Sequence, residues 1–374
     1  MTQQEIVNAM ALTYIKGITQ TTALQLYQAA GSATAVLNLS EELQKQMPTQ
    51  SWEKIKRAIT EGKAKAIERA ETEWKFCEEK NIQMLTFNDD NYPYRLREIS
   101  DAPLVLFHKG TANLNAKRII SVVGTRKITE YGKDICRTFL PELQRRLPDT
   151  LILSGLAYGV DICAHRICLE NHLPTVGILA HGLDRIYPSL HRDTAAQMTQ
   201  HGGVLTEYMS MTTPDKGNFV RRNRIVAGMA DATIVVESAE KGGALITANL
   251  AFDYARDVFA FPGRTTDKYS QGCNKLIAEQ KASLITSADD FIRLMNWEVF
   301  EQKDAQQLTL FPVLSADEQK VWDALEGKTE GVAVNALCVQ LEIPIGKLMS
   351  ILTDMEMKGW TKAMSGGKYK LLPM

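Results

Sequence analysis

The chain has 374 residues, more than one hydrophobic core usually organises, so we expect two or three domains. Its 43 Lys and Arg residues nearly balance its 44 Asp and Glu residues, and the net charge of −1 excludes a global attraction to nucleic acid or an anionic membrane. Six cysteines without a C-x-x-C pair, and no apolar run near the roughly 18 residues of a membrane span, favour a cytoplasmic protein with neither signal peptide nor membrane insertion.

Residues 1–80 have a helical pattern, with apolar positions at helix spacing and abundant Ala, Gln, Glu and Lys. The segment Leu12–Thr19 joins two helical stretches through a turn centred on Gly17, as in a helix-hairpin-helix or SAM-like domain. In a helix-hairpin-helix two glycines let backbone amides approach a DNA phosphate, but Thr19 stands at the second glycine position. A helical packing module with a tight turn is at least as well supported.

Residues 81–300 alternate short β-branched runs with helical stretches, which predicts an α/β domain with a mainly parallel, doubly wound sheet. Ligands of such sheets bind beyond the carboxyl ends of the strands, so the loops that follow the strands should carry function. The predicted strands are 82–87, 104–107, 119–123, 151–153, 175–179, 204–206, 233–236, 257–260 and 283–285.

The polar segment 301–312 predicts a linker to a third domain, 313–374. Ser315 and Glu318 form the sequence pattern of a capping box at the start of a helix. Two more helical stretches and a Gly-containing hairpin follow, and together these elements predict a winged helix.

The loop Gly124-Thr125-Arg126 follows a hydrophobic strand and precedes a helix, the order expected of an anion site. Gly124 would admit close approach of a phosphate, and Arg126 would add a charge-assisted contact. A complete G-x-G-x-x-G pattern is missing, so no dinucleotide cofactor is predicted.

The next loop begins at Ser154-Gly155 and leads into a helix that carries Asp161 and His165. Ser, Asp and His together invite a hydrolase interpretation, but G-x-S-x-G is absent, so we favour a capping role for Asp161 and a hydrogen-bonded core position for His165. No fourth ligand completes a zinc site around these residues, and no metal is predicted. The loop 180–188 is assigned to local architecture.

A basic cluster at 216–224 is the most informative segment, because it holds four cations, one aromatic ring and no acid. Cations neutralise phosphates, and an aromatic ring offers a surface on which a base can stack, so the cluster predicts a site for single-stranded nucleic acid. A solvated basic helix face is the alternative. The predicted DNA contacts in this segment are Lys216, Phe219, Arg221, Arg222, Asn223 and Arg224, and a further Gly loop adds Gly242 and Gly243. The two earlier loops complete the thirteen predicted DNA-binding residues with Gly124, Thr125, Arg126, Ser154 and Gly155.

In this order, the loops resemble the DNA-processing protein A family, also called DprA or Smf. The resemblance covers most of the chain and rests on five ordered motifs. They are 124–126, 154–161 with 164–166, Phe219 with 222–224, 243–248 and 262–263.

The resemblance implies an extended Rossmann-like core, a preceding helical domain and a winged helix. It further implies a protein without catalytic activity that binds incoming single-stranded DNA during natural transformation and helps load RecA recombinase. On this basis the main DNA contacts would be Arg126, Lys216, Phe219, Arg222 and Arg224, with backbone from Gly124 and Gly243. The resemblance also implies a homodimer through the core, with 245–254 and 276–281 as candidate dimer and recombinase surfaces. Family members often carry Phe-Pro where this chain has Phe219-Val220.

Two other functions compete with this one. An N-glycosidase of nucleoside monophosphates has a related fold, but its P-G-G-x-G-T loop and following carboxylate are not matched at 240–247. A double-strand-specific regulator would read DNA with the helix near 345–358, whose Lys347 and Lys358 are offset by Asp354 and Glu356. For the last domain a protein-interaction role is therefore favoured.

Overall fold

The computed structural model describes residues 2–45, 48–297, 314–328, 330–364 and 366–372. The chain divides into two compact units, residues 1–301 and 302–374. The predicted linker, 301–312, lies outside the described residues.

The described part of residues 1–80 is entirely helical between its turns. Thr2, Thr19 and Ser32 each begin a helix by accepting a backbone N–H at the helix start, and Gly31 ends the second helix at φ 74°. Thr19, at the second glycine position of the predicted hairpin, is thus a helix cap. The helices are α1 (Gln3–Tyr14), α2 (Gln20–Ala30), α3 (Ala33–Leu37), α4 (Glu41–Lys45) and α5 (Thr49–Glu79).

A nine-stranded sheet follows, and each of the nine predicted strands is present within about two residues at most ends. The strands are β1 (Gln83–Thr86), β2 (Val105–Gly110), β3 (Arg118–Val123), β4 (Thr150–Ser154), β5 (Thr175–Ile178), β6 (Gly202–Thr206), β7 (Ala232–Val235), β8 (Asp257–Ala260) and β9 (Ser283–Leu284). Their spatial order is β1-β2-β6-β5-β4-β3-β7-β8-β9. The pairs β1–β2 and β2–β6 are antiparallel and the others parallel, which confirms the predicted mainly parallel sheet.

Helices cover both faces of this sheet. Along β3, Ile119 and Val123 join one hydrophobic cluster while Ile120 and Val122 join another, because successive side chains of a strand point to opposite faces. The helices are α6 (Tyr94–Arg97), α7 (Glu130–Arg146), α8 (Val160–Glu170), α9 (Arg192–Met198), α10 (Lys216–Gly228), α11 (Gly243–Asp253), α12 (Gln271–Ala278) and α13 (Ala288–Leu294).

The predicted division at residue 80 coincides with the change from helices to strands. One continuous hydrophobic cluster nevertheless contains Leu12 and Ile59 of the helical part together with Leu106 and Ile119 of the sheet. The helical part and the sheet accordingly lie in the same compact unit.

The second unit has the predicted winged-helix arrangement. Its first helix starts at the capping box of Ser315 and Glu318, in which each side chain bonds the backbone of the other residue. A three-stranded antiparallel sheet in the order β10-β12-β11 completes the unit. Its elements are α14 (Ala316–Leu325), β10 (Val332–Ala333), α15 (Val334–Leu341), α16 (Ile345–Met357), β11 (Thr361–Met364) and β12 (Lys368–Leu371).

No single helix within the described ranges is long and apolar enough to cross a membrane. The pair α15 and α16 reaches that length and composition only when taken together, and it is bent by 112° at the break.

Candidate functional site

The chain order of the sheet reverses at β3, which has β4 on one side and β7 on the other. A groove of about 730 Å³ opens beyond the carboxyl ends of these strands, where the ligands of doubly wound sheets bind. Ten of the thirteen predicted site residues line it: Gly124, Thr125, Arg126, Gly155, Lys216, Phe219, Arg222, Asn223, Gly242 and Gly243. The other three, Ser154, Arg221 and Arg224, do not line it.

The loop after β3 forms one wall of the groove. A Cβ on Gly124 would lie 2.3 Å from Cγ2 of Val160, so the tight packing of this loop requires a glycine. The Thr125 N–H donates to the carbonyl of Glu237 at 2.7 Å, which ties this loop to the one after β7. Arg126 is exposed, and no ion pair to it is present in the described part of the chain.

Glu237 reinforces that tie with its side chain, although sequence analysis gave it no role. Its buried carboxylate accepts hydrogen bonds from the Thr129 hydroxyl at 2.6 Å and the Thr129 N–H at 2.9 Å. Thr129 is also the N-cap of α7. The two loops that border the groove are therefore fixed to each other by one buried acid.

Two buried side chains of opposite charge, Arg222 and Asp161, hold the loop after β4. Arg222 is 4% exposed, and its guanidinium donates to the carbonyls of Gly155, at 2.7 Å, and Ile178. The Asp161 carboxylate accepts the Gly155 N–H at 3.1 Å and the Ala157 N–H at 3.3 Å. Burial lowers the pKa of Arg222, and the charge of Asp161 opposes that shift.

These contacts bear on three predicted roles. The guanidinium of Arg222 donates to backbone carbonyls and so holds the loop, while the residue also lines the groove, and its role as a DNA contact stays a prediction. Asp161 was predicted to cap α8, but the N-cap of that helix is Gly159. The Asp161 carboxylate instead accepts two backbone N–H groups of the loop. The predicted structural role of His165 is confirmed, because its ring is buried and its Nδ1 lies 2.7 Å from the Thr175 hydroxyl.

Ser154 and Arg224, both predicted as DNA contacts, have hydrogen-bond partners within the protein. The Ser154 hydroxyl is fully buried and donates to the carbonyl of Val122 at 2.6 Å. Arg224 forms a bidentate ion pair with the buried carboxylate of Glu207, with two N–O distances of 2.7 Å. Arg221 is exposed but bonds the side chain of Asn218 outside the groove.

The remaining members of the basic cluster face the groove from α10. Asp215 caps the helix by accepting the Asn218 N–H at 3.0 Å, and Lys216 is the first helical residue. Positions 216, 219, 220, 223 and 226 all line the groove, the spacing of one helix face. Lys216 is exposed, and the ion pairs found among the described residues do not include it.

Two aromatic rings meet inside the groove. The ring of Phe219 lies 5.8 Å from that of Tyr187, centroid to centroid, and the guanidinium carbon of Arg126 lies 5.6 Å from the Phe219 centroid. The loop that contains Tyr187 was predicted to have only a structural role, so Tyr187 was not among the predicted DNA-binding residues. The available signal was an aromatic residue in a loop directly after a parallel strand.

The start of α11 closes the groove on the side of β7. Gly242 is the N-cap and Gly243 the first helical residue, and both line the groove. A Cβ on Gly242 would lie 2.3 Å from the Ser238 hydroxyl, whereas one on Gly243 would meet nothing within 4 Å. The groove therefore receives the positive ends of two helix dipoles, those of α10 and α11, together with Lys216 and Arg126.

Comparisons with known proteins bear on this site and fold. Residues 83–296 match the family model for the DNA recombination-mediator protein A, and residues 305–367 match the DprA winged helix domain. The DNA processing protein DprA of Bacillus subtilis is 40% identical over 213 residues, 57% of this chain and 71% of that protein. A putative DprA of Mycobacterium tuberculosis is 32% identical over 320 residues, 82% of this chain and 81% of that protein.

Solved structures agree with these matches. DprA of Streptococcus pneumoniae superposes with a TM-score of 0.65 at 29% identity, covering 80% of this chain and 99% of that one. DNA processing protein A of Helicobacter pylori, solved for its single-stranded DNA binding mode, gives a TM-score of 0.52 at 30% identity over 58% of this chain and 97% of that one. Together with the family model, which matches more than half of its residues, these likenesses show that the chain belongs to the DNA-processing protein A (DprA/Smf) family.

Proposed function

We propose that this protein binds single-stranded DNA in the groove and catalyses no reaction there. The observation that carries the proposal is the half-buried ring of Phe219 beside Arg126, within a groove that also presents Lys216 and the start of α11. Such a combination serves both parts of a strand: an aromatic ring stacks a base, while cations and helix N-termini attract phosphates.

The position of Lys216 supports a phosphate ligand. A cation at the first residue of a helix is repelled by the positive end of the helix dipole, so Lys216 does not stabilise α10 electrostatically. A bound phosphate would be attracted by both the lysine and the dipole. The glycines of the β3 and β7 loops add backbone to which a phosphate can come close.

The aromatic pair favours single strands over duplexes. A base within a duplex is paired and stacked on its neighbours, whereas an unpaired base offers a free face to Phe219 and Tyr187. Stacking accepts any base, so we expect no sequence preference. The H. pylori relative, described for its binding of single-stranded DNA, supports this choice.

Carboxylates in the groove support a non-catalytic role. Of the acids that line it, Asp161 accepts two backbone N–H groups and Asp215 caps α10, so each has a structural function. The rival N-glycosidase activity needs a carboxylate available for acid–base work. Release of free base from nucleoside monophosphates by the pure protein would establish that rival.

The test is a titration of single-stranded and double-stranded oligonucleotides at two salt concentrations. We expect tighter binding of the single strand, and a salt dependence that flattens by about 0.7 unit of slope for each phosphate contact removed. Arg126→Ala and Lys216→Ala should each show that flattening. Arg293→Ala, at an exposed arginine of α13 outside the groove, is the matched control. Unchanged binding in both groove variants would refute the site.

We further propose that the bound strand is delivered to RecA recombinase in the cytoplasm during natural transformation. This proposal rests on the family resemblance and on the recombination-mediator description of the family model. Its test is the lag before RecA hydrolyses ATP on DNA coated with single-strand-binding protein. The wild-type protein should shorten that lag and Arg126→Ala should not; a lag that the wild-type protein leaves unchanged contradicts the proposal.

A homodimer through the core is the third part of the proposal. The helix α11 exposes two large apolar residues, Ile246 and Phe252, and α12 lies beside it along a second cavity of about 390 Å³. A contiguous exposed apolar patch is typical of a subunit contact, and these two side chains are the candidates for its centre. Sedimentation should show a dimer that Phe252→Lys converts to a monomer, whereas Tyr94→Lys, at an equally exposed aromatic of α6, should leave it intact.

A further inference from the structure

The β11–β12 hairpin of the second unit carries three lysines on one face. The strand register places Lys362 directly opposite Lys370, and Lys368 lies on the same face two residues along β12. The other face packs inward, because Thr361 is 1% exposed and Tyr369 is 8% exposed. Hairpin geometry therefore concentrates three positive charges on the outer surface of the wing.

This arrangement costs stability in the free protein. Like charges directly opposite each other on antiparallel strands repel, at a Cβ separation of about 5 Å. None of the three lysines has an ion-pair partner within the described part of this unit. The acid that faces the hairpin from α16, Glu356, accepts the Ala363 N–H at 2.8 Å. An anionic ligand that neutralises these charges would explain why the hairpin keeps three lysines that destabilise it.

The helix that would read bases does not offer comparable contacts. Lys347 of α16 forms an ion pair with Asp317 at 2.6 Å. Lys358, the residue after the end of α16, forms an ion pair with Glu318 at 2.5 Å. The sequence of α16 contains no Arg, Asn or Gln, the side chains that recognise bases in the major groove most often. Cations free for a ligand thus lie on the wing, and base-reading groups are missing from the helix.

We propose that the outer face of the β11–β12 hairpin binds the phosphate backbone of nucleic acid without sequence selectivity, through Lys362, Lys368 and Lys370. Closely spaced cations on one face of a hairpin suit a polyanion. Within β11 and β12 this face carries three lysines and one apolar side chain, Met364, a composition that suits a polyanion better than insertion into a membrane. This contact is separate from the groove and does not depend on the function proposed there.

The experiment uses the full chain with the groove disabled by Arg126→Ala and Lys216→Ala. This background should retain salt-dependent binding of mixed-sequence duplex and single-stranded oligonucleotides. Lys362→Ala, Lys368→Ala and Lys370→Ala should each lower the salt slope for the duplex by about 0.9 unit. Lys328→Ala, at an exposed lysine of the same unit outside the hairpin, is the control.

Charge reversal separates ligand binding from a structural role. Lys370→Glu puts an acid opposite Lys362, so it should raise the melting temperature while it removes duplex binding from the background variant. Three results would each overturn the inference. They are a background variant that binds no oligonucleotide, normal duplex binding by Lys370→Glu in that background, and a Lys370→Glu variant that loses binding and also has a lower melting temperature. Stronger binding to anionic phospholipid vesicles than to duplex would do so too. Equal affinity and equal salt slope for single strands in the wild type and in the background variant would refute the groove alone and leave this inference standing.

Discussion

Replacing Phe219 by alanine separates stacking from charge in the groove. The ring of Phe219 lies 5.8 Å from the ring of Tyr187 and 5.6 Å from the guanidinium carbon of Arg126, and we expect it to stack a single base. Loss of one stacked base costs about 1–3 kcal/mol, which corresponds to a dissociation constant raised roughly 5- to 150-fold. No cation is removed, so the salt dependence should keep its slope.

The assay is fluorescence anisotropy with a single-stranded oligonucleotide at several salt concentrations. Phe219→Leu should give an intermediate loss, because leucine retains apolar contact but has no flat π surface. Tyr94→Ala is the matched control, since Tyr94 is 46% exposed on α6 and does not line the groove. A salt slope that falls with the affinity of Phe219→Ala would show that the ring positions Arg126 instead of stacking a base. Unchanged affinity would refute stacking outright.

Three further predictions concern the scaffold of the groove. Gly155→Ala should lower the melting temperature, because the added Cβ would lie 2.5 Å from a guanidinium nitrogen of the buried Arg222. Gly243→Ala adds a Cβ that meets nothing within 4 Å, so it should keep the melting temperature and weaken only DNA binding. In urea denaturation Glu207→Ala should lose about 3–5 kcal/mol of stability, since it leaves Arg224 buried and unpaired, and a loss below 1 kcal/mol would contradict that role. Burial lowers the pKa of His165 from 6.5 to about 3, so between pH 3 and pH 6.5 the imidazole is protonated in the unfolded chain but not in the folded one. The free energy of unfolding should therefore fall by about 1.4 kcal/mol for each pH unit below 6.5. His165→Asn should remove the contribution of His165 to this pH dependence.

The strands of the core could be predicted because each is a short β-branched run followed by a Gly-containing or polar loop. Gly124 and Gly243 could be assigned to one ligand site for the same reason, since loops that follow parallel strands meet at one edge of the sheet. The roles of the arginines in the basic cluster could not be separated in this way. Burial of Arg224 depends on Glu207, which lies 17 residues earlier in the chain, at the end of β6.

The helix periodicity of 216–226 distinguishes positions of the basic cluster that a count of its charges treats alike. In α10 the positions that line the groove are 216, 219, 220, 222, 223 and 226, whereas Arg221 falls on the opposite face. A predicted helix start at Lys216 would therefore have excluded Arg221 as a ligand, but it would not have separated Arg222 from Arg224. Tyr187 lay beyond such reasoning, because its approach to Phe219 joins the loop after β5 to α10, a contact between segments distant in the chain.

The groove thus contains cations in two states, and the difference decides what each can do. Arg222 is desolvated and bonded to carbonyls, so its removal should unfold the loop before it affects a ligand. Arg126 and Lys216 are exposed, and among the described residues neither forms an ion pair, so each can bind a phosphate without first breaking one. The buried charges fix the positions of the Gly loops, and those fixed loops give the exposed charges a defined place along a bound strand. Affinity should therefore respond to salt through Arg126 and Lys216, while stability should respond to substitutions of Arg222 and Arg224.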